Sequence, residues 1–221
     1  MKRVVLLITA VALSTFTFAG TNGLKSLQEK TNEAREAKEI ISKGFYLNLG
    51  VAFPTLSSSS GSTGTFSLGI QPNIEIGNQW YFYTAEKWGI GMKISWFQFG
   101  FSATDYFGST LSTIDMRFIK ISPQFTYAIT PDMAIDATFE LAPTLLLLAF
   151  TGNSSTTVSN TSGSAAAGLL FAPGVRFRYK IFAAGFDISF GSLSSLSVSS
   201  SGAGSGSANM VSPRVYLGFK F

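Results

Sequence analysis

Nine ionisable side chains fall at alternate positions within otherwise apolar runs: Glu75, Lys93, Lys120, Asp136, Glu140, Arg176, Arg178, Asp187 and Arg214. Four acids against five bases on the polar side of a strand-like repeat suit mutual neutralisation by charge-assisted hydrogen bonds in an enclosed interior. Such an interior penalises an unpaired charge and tolerates a hydrogen-bonded pair. The expectation is an ion-pair network that fills and rigidifies that interior. The functional alternative is a gate, in which an exchange of partners such as Glu75 and Arg176 opens a water path. Catalysis is not expected. The chain has no histidine and no cysteine, so an imidazole general base and a thiolate nucleophile or metal ligand are both excluded. Asp136 and Glu140 share one face but stand beside several bases, which reads as structure. No catalytic, metal or cofactor-binding residue is assigned and no cofactor is implied. No dense acidic loop of the Ca²⁺ type is present either. The stretches Ser57–Gly64 and Ser199–Ser207 precede no helix, so they read as linkers rather than phosphate cradles.

The elements that position these side chains repeat with period two from Gly44 onward. Phe45, Leu47, Leu49, Val51 and Phe53 form one face of a first strand, and Phe66, Leu68, Ile70, Ile74 and Ile76 one face of a second. Further apolar faces are Ile90 to Trp96, Ile119 to Tyr127 and Ile135 to Leu141, then Phe171 to Tyr179, Phe182 to Phe190 and Val215 to Phe221. That makes eight strands. A phase slip near Phe118 and Ile119 predicts a bulge. Tight turns at 84–87, 130–132 and 180–181 alternate with longer Gly/Ser-rich connections at 54–64, 102–112, 151–163 and 191–209. Short turns on one side and longer loops on the other are the pattern of a transmembrane barrel. Five glycines (50, 69, 91, 174 and 185) are expected inside, making room for Lys and Arg.

Charge decides which face is outside. Only nine Lys/Arg and eight Asp/Glu follow Gly44, about one residue in ten, where soluble domains carry about 25%. So few charges cannot coat a water-facing exterior, so the apolar face is expected to meet lipid. Trp80, Phe82, Trp88, Tyr127, Tyr179 and Phe221 gather near the tight turns, where an interfacial aromatic girdle belongs. The longest apolar run, Leu141 to Phe150, is interrupted by Pro143 and is too short for a spanning helix.

Two segments precede the strands. Residues 1–19 have a basic start, an apolar stretch and Thr17-Phe18-Ala19, which reads as a secretory signal peptide. Residues 20–43 carry nine charges between Lys25 and Lys43, with good helix formers and a weak apolar stripe. They are expected to form a charged periplasmic helical segment. The whole-chain charge of +4 falls to about +2 without Lys2 and Arg3, too little and too scattered for nucleic acid.

The chain ends Val215-Tyr-Leu217-Gly-Phe219-Lys-Phe221, an alternating strand closed by an aromatic. With the signal peptide, the eight alternating segments and the inward charges, this resembles the OmpA/OmpX-type eight-stranded bacterial outer-membrane barrels over residues 44–221. The resemblance implies an all-β, eight-stranded antiparallel up-and-down transmembrane β-barrel with a short N-terminal helix, in the bacterial outer membrane. It implies that Val215, Leu217, Phe219 and Phe221 are the signal read by the barrel-assembly machinery. The other expected partners are outer-membrane lipid and lipopolysaccharide, and an extracellular ligand reached through the loops. The peptidoglycan-binding domain that follows the barrel in OmpA-type proteins proper is not expected. The leading expectation is a non-catalytic structural or surface-interaction (adhesin-like) role, with Phe101, Tyr106 and Phe107 as contact candidates. The alternative is a weak or gated small pore. A ligand-storing barrel is disfavoured by a charged, crowded interior.

Overall fold

Alternating apolar and polar residues can only be satisfied by a sheet with two unlike faces, and a closed sheet removes its edges. The computed structural model describes residues 40–58, 65–106, 109–152, 161–196 and 207–221. The signal segment, all of the charged stretch before Ile40, and Phe107 lie outside them. The strands are β1 (Gly44–Ala52), β2 (Thr55–Ser58), β3 (Thr65–Ser67), β4 (Gln71–Thr84), β5 (Trp88–Tyr106), β6 (Ser109–Thr130), β7 (Met133–Gly152), β8 (Thr161–Tyr179), β9 (Phe182–Leu196) and β10 (Ser207–Lys220). β1 and β4 to β10 form an antiparallel up-and-down ring of eight, closed where Tyr46 to Ala52 pair with Lys220 to Arg214. At the seam the Phe45 and Phe221 backbones exchange hydrogen bonds of 3.0 and 2.8 Å.

β2 and β3 are the outer continuation of the first hairpin. β2 climbs β10 above β1, with Thr55 opposite Val211, and β3 returns beside it. Two kinks separate them from β1 and β4. At the first, Phe53 N–H donates to the Pro213 carbonyl and Leu68 N–H to that of Pro54. At the second, Gly69 holds φ +83°, a left-handed conformation that favours glycine. The alternation predicts a single outward face from Phe66 to Ile76. Instead Leu68 is fully buried inside while Ile70 is 67% exposed outside, because the turn at Gly69 changes the phase. The expected bulge at Phe118 and Ile119 is present. Ile119 has φ +50° and the β6–β7 register shifts between Arg117 and Ile121. A matching irregularity in β5 leaves Trp96 and Phe97 both off the lumen, beside Phe118.

The outer connections are shorter than expected, because the strands run into them. β5, β6, β7 and β8 are 19, 22, 20 and 19 residues long, about twice the 9–11 that cross a bilayer. Phe101 and Tyr106 therefore lie within β5 rather than in a loop. Lys180 sits at the expected β8–β9 turn with φ +53°, exposed and 3.7 Å from Asp132.

Candidate functional site: the barrel lumen

All nine ionisable residues singled out above point into the lumen, each 2% exposed or less. The structure sorts them into two groups. In the first, Glu75, Lys93, Glu140 and Lys120 close a four-cornered ring. Glu75 Oε1 lies 3.1 Å from Lys93 Nζ and 3.0 Å from Lys120 Nζ, and Glu140 lies 2.8 and 2.6 Å from the same two ammoniums. Because the four come from β4, β5, β7 and β6, the ring ties together half the wall. Arg214 of β10 reaches in from the opposite side to Glu75 Oε2 at 2.7 Å and to Asp187 Oδ2 through Nε at 2.9 Å. Three carboxylates against three cations leave this layer neutral. Asn48, Ser95 and Gln98 donate or accept at its corners.

The second group lies nearer the tight turns. Arg176 and Arg178 both donate to Asp136 Oδ2, at 2.7 and 2.8 Å. One carboxylate cannot balance two guanidiniums, so neutral acceptors complete the set. Arg176 donates to Gln79 Oε1 at 2.8 Å, and Arg178 to the Tyr81 hydroxyl at 3.0 Å and the Ile40 carbonyl at 2.7 Å. The suggested Glu75–Arg176 exchange pair is thus split between the groups, and so are Asp136 and Glu140.

Below the second group the chain preceding β1 turns into the barrel mouth. Ile40 and Ile41 pack on Ala128, Ala134 and Tyr81. Lys220 Nζ donates to the Ser42 carbonyl at 2.7 Å, and Gln79 Nε2 donates there at 3.2 Å. Residues 40–43 form a stopper whose backbone carbonyls accept from luminal cations.

A third pair escapes the sequence reading. Asp115 and Arg117 on β6 bond to one another at 2.9 Å, and Arg117 Nη1 donates to Ser189 Oγ at 2.6 Å. Their parity with Leu111 and Thr113 would reveal them if 102–112 were not assigned to a loop. Two tyrosines escape it as well. Tyr46 hydroxyl bonds Ser95 at 2.6 Å under the Lys93 ammonium, and Tyr216 lies 4.8 Å beneath the Arg214 guanidinium. The inner glycines make room for these rings more than for Lys or Arg. A Cβ on Gly77 would collide with the Tyr46 hydroxyl, and one on Gly185 with the Tyr216 ring.

Outside, Phe45, Leu49, Phe125, Phe139, Val175, Phe177, Phe186 and Val215 are exposed around the ring. Trp88 stacks on Phe125 and lies tilted against Tyr83 near the tight turns, and Phe139, Phe171 and Phe190 form a ladder across β7, β8 and β9. An exterior of this kind over a charged interior is the reverse of a water-soluble domain, and a closed sheet is one of the two structures that satisfy their backbone in lipid. The fold is that of a membrane-spanning β-barrel. Val215, Leu217 and Phe221 lie exposed on that outer face, and Phe219 packs edge-on to Phe182 at 5.5 Å.

No protein-family model matches the chain, and no curated protein matches it in sequence. Among solved structures it is similar to Ail, the attachment invasion locus protein of Yersinia pestis, in complex with the heparin analogue sucrose octasulfate. The identity there is 11% over 81% of this chain and 99% of that one, with a TM-score of 0.49. For Neisserial surface protein A the values are 14%, 80%, 97% and 0.45. For a major outer membrane protein from Thermus thermophilus they are 11%, 80%, 99% and 0.44.

Proposed function

We propose that this chain is a sealed, non-catalytic outer-membrane anchor whose task is structural or surface contact. The observation carrying the proposal is the ring of Glu75, Lys93, Glu140 and Lys120, tied across the lumen to Arg214 and Asp187. Every one of these cations already has a carboxylate, so none is left to attract a passing solute. In this reading residues 1–19 direct export and 20–43 form the periplasmic segment that ends in the stopper. Residues 44–221 are the barrel, inserted by the assembly machinery through Val215, Leu217, Phe219 and Phe221. Lipid and lipopolysaccharide surround it, and the long outer strands lift the Gly/Ser-rich connections clear of the membrane toward an extracellular ligand.

The test is single-channel recording on the refolded mature chain, with heat-modifiable gel mobility as the check of folding. A folded barrel with no steady current is expected. Shortening the 197–206 connection should spare folding and abolish attachment of expressing cells to a host surface. Steady current altered by Glu75→Gln would replace this reading with the gated pore.

A further inference from the structure

On part of the circumference the two faces of the barrel exchange character toward its outer end. Around the charged groups the lumen is polar and the exterior aromatic. Further out, the outward side chains become Thr110 and Ser112 on β6, Ser192 and Ser194 on β9, Asn209 on β10, and Thr55 and Ser57 on β2, while β7 and β8 keep Leu145, Leu147 and Leu169 outward. Ser192 donates to Asn209 across the outer face at 2.8 Å. At the same height the inward side chains are Leu68, Leu111, Leu146, Leu170, Leu193 and Met210, all buried. A polar outer arc over an apolar interior is the pattern of a water-facing sheet, so on the side of β2, β9 and β10 this end of the barrel faces water and has an apolar core of its own.

That core does not fill its barrel. Above Leu146 and Leu193 lies a cavity of about 410 Å³, lined chiefly by Leu56, Phe66, Leu148 and Phe150, with Ala208 and seryl groups toward the rim. None of the described lining residues is charged, and the volume falls within the range of small-molecule sites. The strands that line the cavity are joined by residues 59–64, 153–160 and 197–206, in which Val158 and Val198 are the only apolar side chains larger than a methyl group. The buried leucine layer beneath closes the way to the charged lumen, so the pocket is a dead end.

We infer that this outer pocket binds a small, uncharged, apolar molecule that arrives from the external aqueous side. Its occupant is selected by apolar contact with the leucines and phenylalanines, and an ion is excluded because no lining side chain pairs with it. The site is independent of the sealed-anchor reading. The sequence disfavours a ligand-storing barrel because its interior is charged and crowded, but the lining of this pocket carries no charged side chain among the described residues.

The experiment is methyl NMR of the leucine-labelled, full mature chain in lipid nanodiscs, titrated with 1-hexanol. Saturable shifts are expected at Leu56, Leu146, Leu148 and Leu193, against a linear, non-saturating drift at lipid-facing Leu49 and Leu217. Ala208→Phe should fill the pocket and raise the apparent Kd at least tenfold, with heat-modifiable mobility unchanged. The inference fails if Leu146 and Leu193 follow the same linear drift as Leu217. It also fails if the saturable shifts survive in a folded Ala208→Phe variant.

Discussion

Glu75 touches more of the network than any other carboxylate in the lumen. It accepts from Lys93, Lys120, Arg214 and Asn48, whereas Glu140 is shared by the two lysines alone. Replacing Glu75 by glutamine leaves two buried ammoniums on one carboxylate. Loss of one partner of a buried pair costs about 3–5 kcal/mol, while replacing a whole pair with apolar groups is often near neutral. Glu75→Gln should therefore lower the equilibrium urea stability of the refolded barrel by about 3–5 kcal/mol. Adding Lys120→Met should return more than half of that loss. Simple additivity of the two substitutions would mean that the ring is not coupled. The charged positions were legible in the sequence because parity alone places Glu75, Lys93 and Arg214 inward. Their partners were not, since a pair such as Arg214 and Glu75 is separated by 139 residues and depends on strand tilt around a closed ring.

At the scale of elements, alternation showed the reading frame of each strand and concealed where the frame changes. The bulge at Ile119 left a trace, two adjacent outward residues, but the kink at Gly69 did not. Phe66, Leu68 and Ile70 keep the same parity on both sides of it, so the pattern looks unbroken. The kink depends on a positive φ and on Ser102 and Thr104, whose hydroxyls donate to the Leu68 carbonyl at 2.7 and 3.3 Å. Gly69→Ala should cost about 1–2 kcal/mol from the left-handed backbone alone. The true cost should be larger, because the added Cβ meets the Thr104 hydroxyl. The loss should be local. Limited proteolysis should speed up in the 59–64 connection while the eight-stranded ring keeps its heat-modifiable mobility. Unfolding of the whole ring at the same denaturant concentration as that cleavage would show that β2 and β3 are not a separable outer extension. The inversion of faces in this extension was readable in principle. Asp187, Ser189, Gly191 and Leu193 share one parity, so Leu193 had to point inward between Ser192 and Ser194. Assigning 191–209 to a loop hid it.

At the scale of the whole molecule, three layers of described residues cross the lumen in series: the Ile40 to Lys43 stopper, the two charged groups, and the leucine layer above them. Resistances in series are governed by the tightest, so removing one closure should not open the barrel. A chain lacking residues 20–43 loses acceptors for Arg178 and Lys220 and the cover over Ala128 and Ala134. It should therefore unfold at a lower temperature than the full mature chain, yet leak no more ions from loaded liposomes. Leakage should appear only when the truncation is combined with Leu146→Ala and Leu193→Ala, with loss of the ring through Lys93→Ala and Lys120→Ala, and with loss of the second group through Arg176→Ala and Arg178→Ala. The order matters to function. If truncation alone produced leakage, the charged groups would already be permeable and the terminal segment would act as a gate. The anchor reading would then yield to a regulated pore, with Arg178 and Lys220 as the residues that hold it shut.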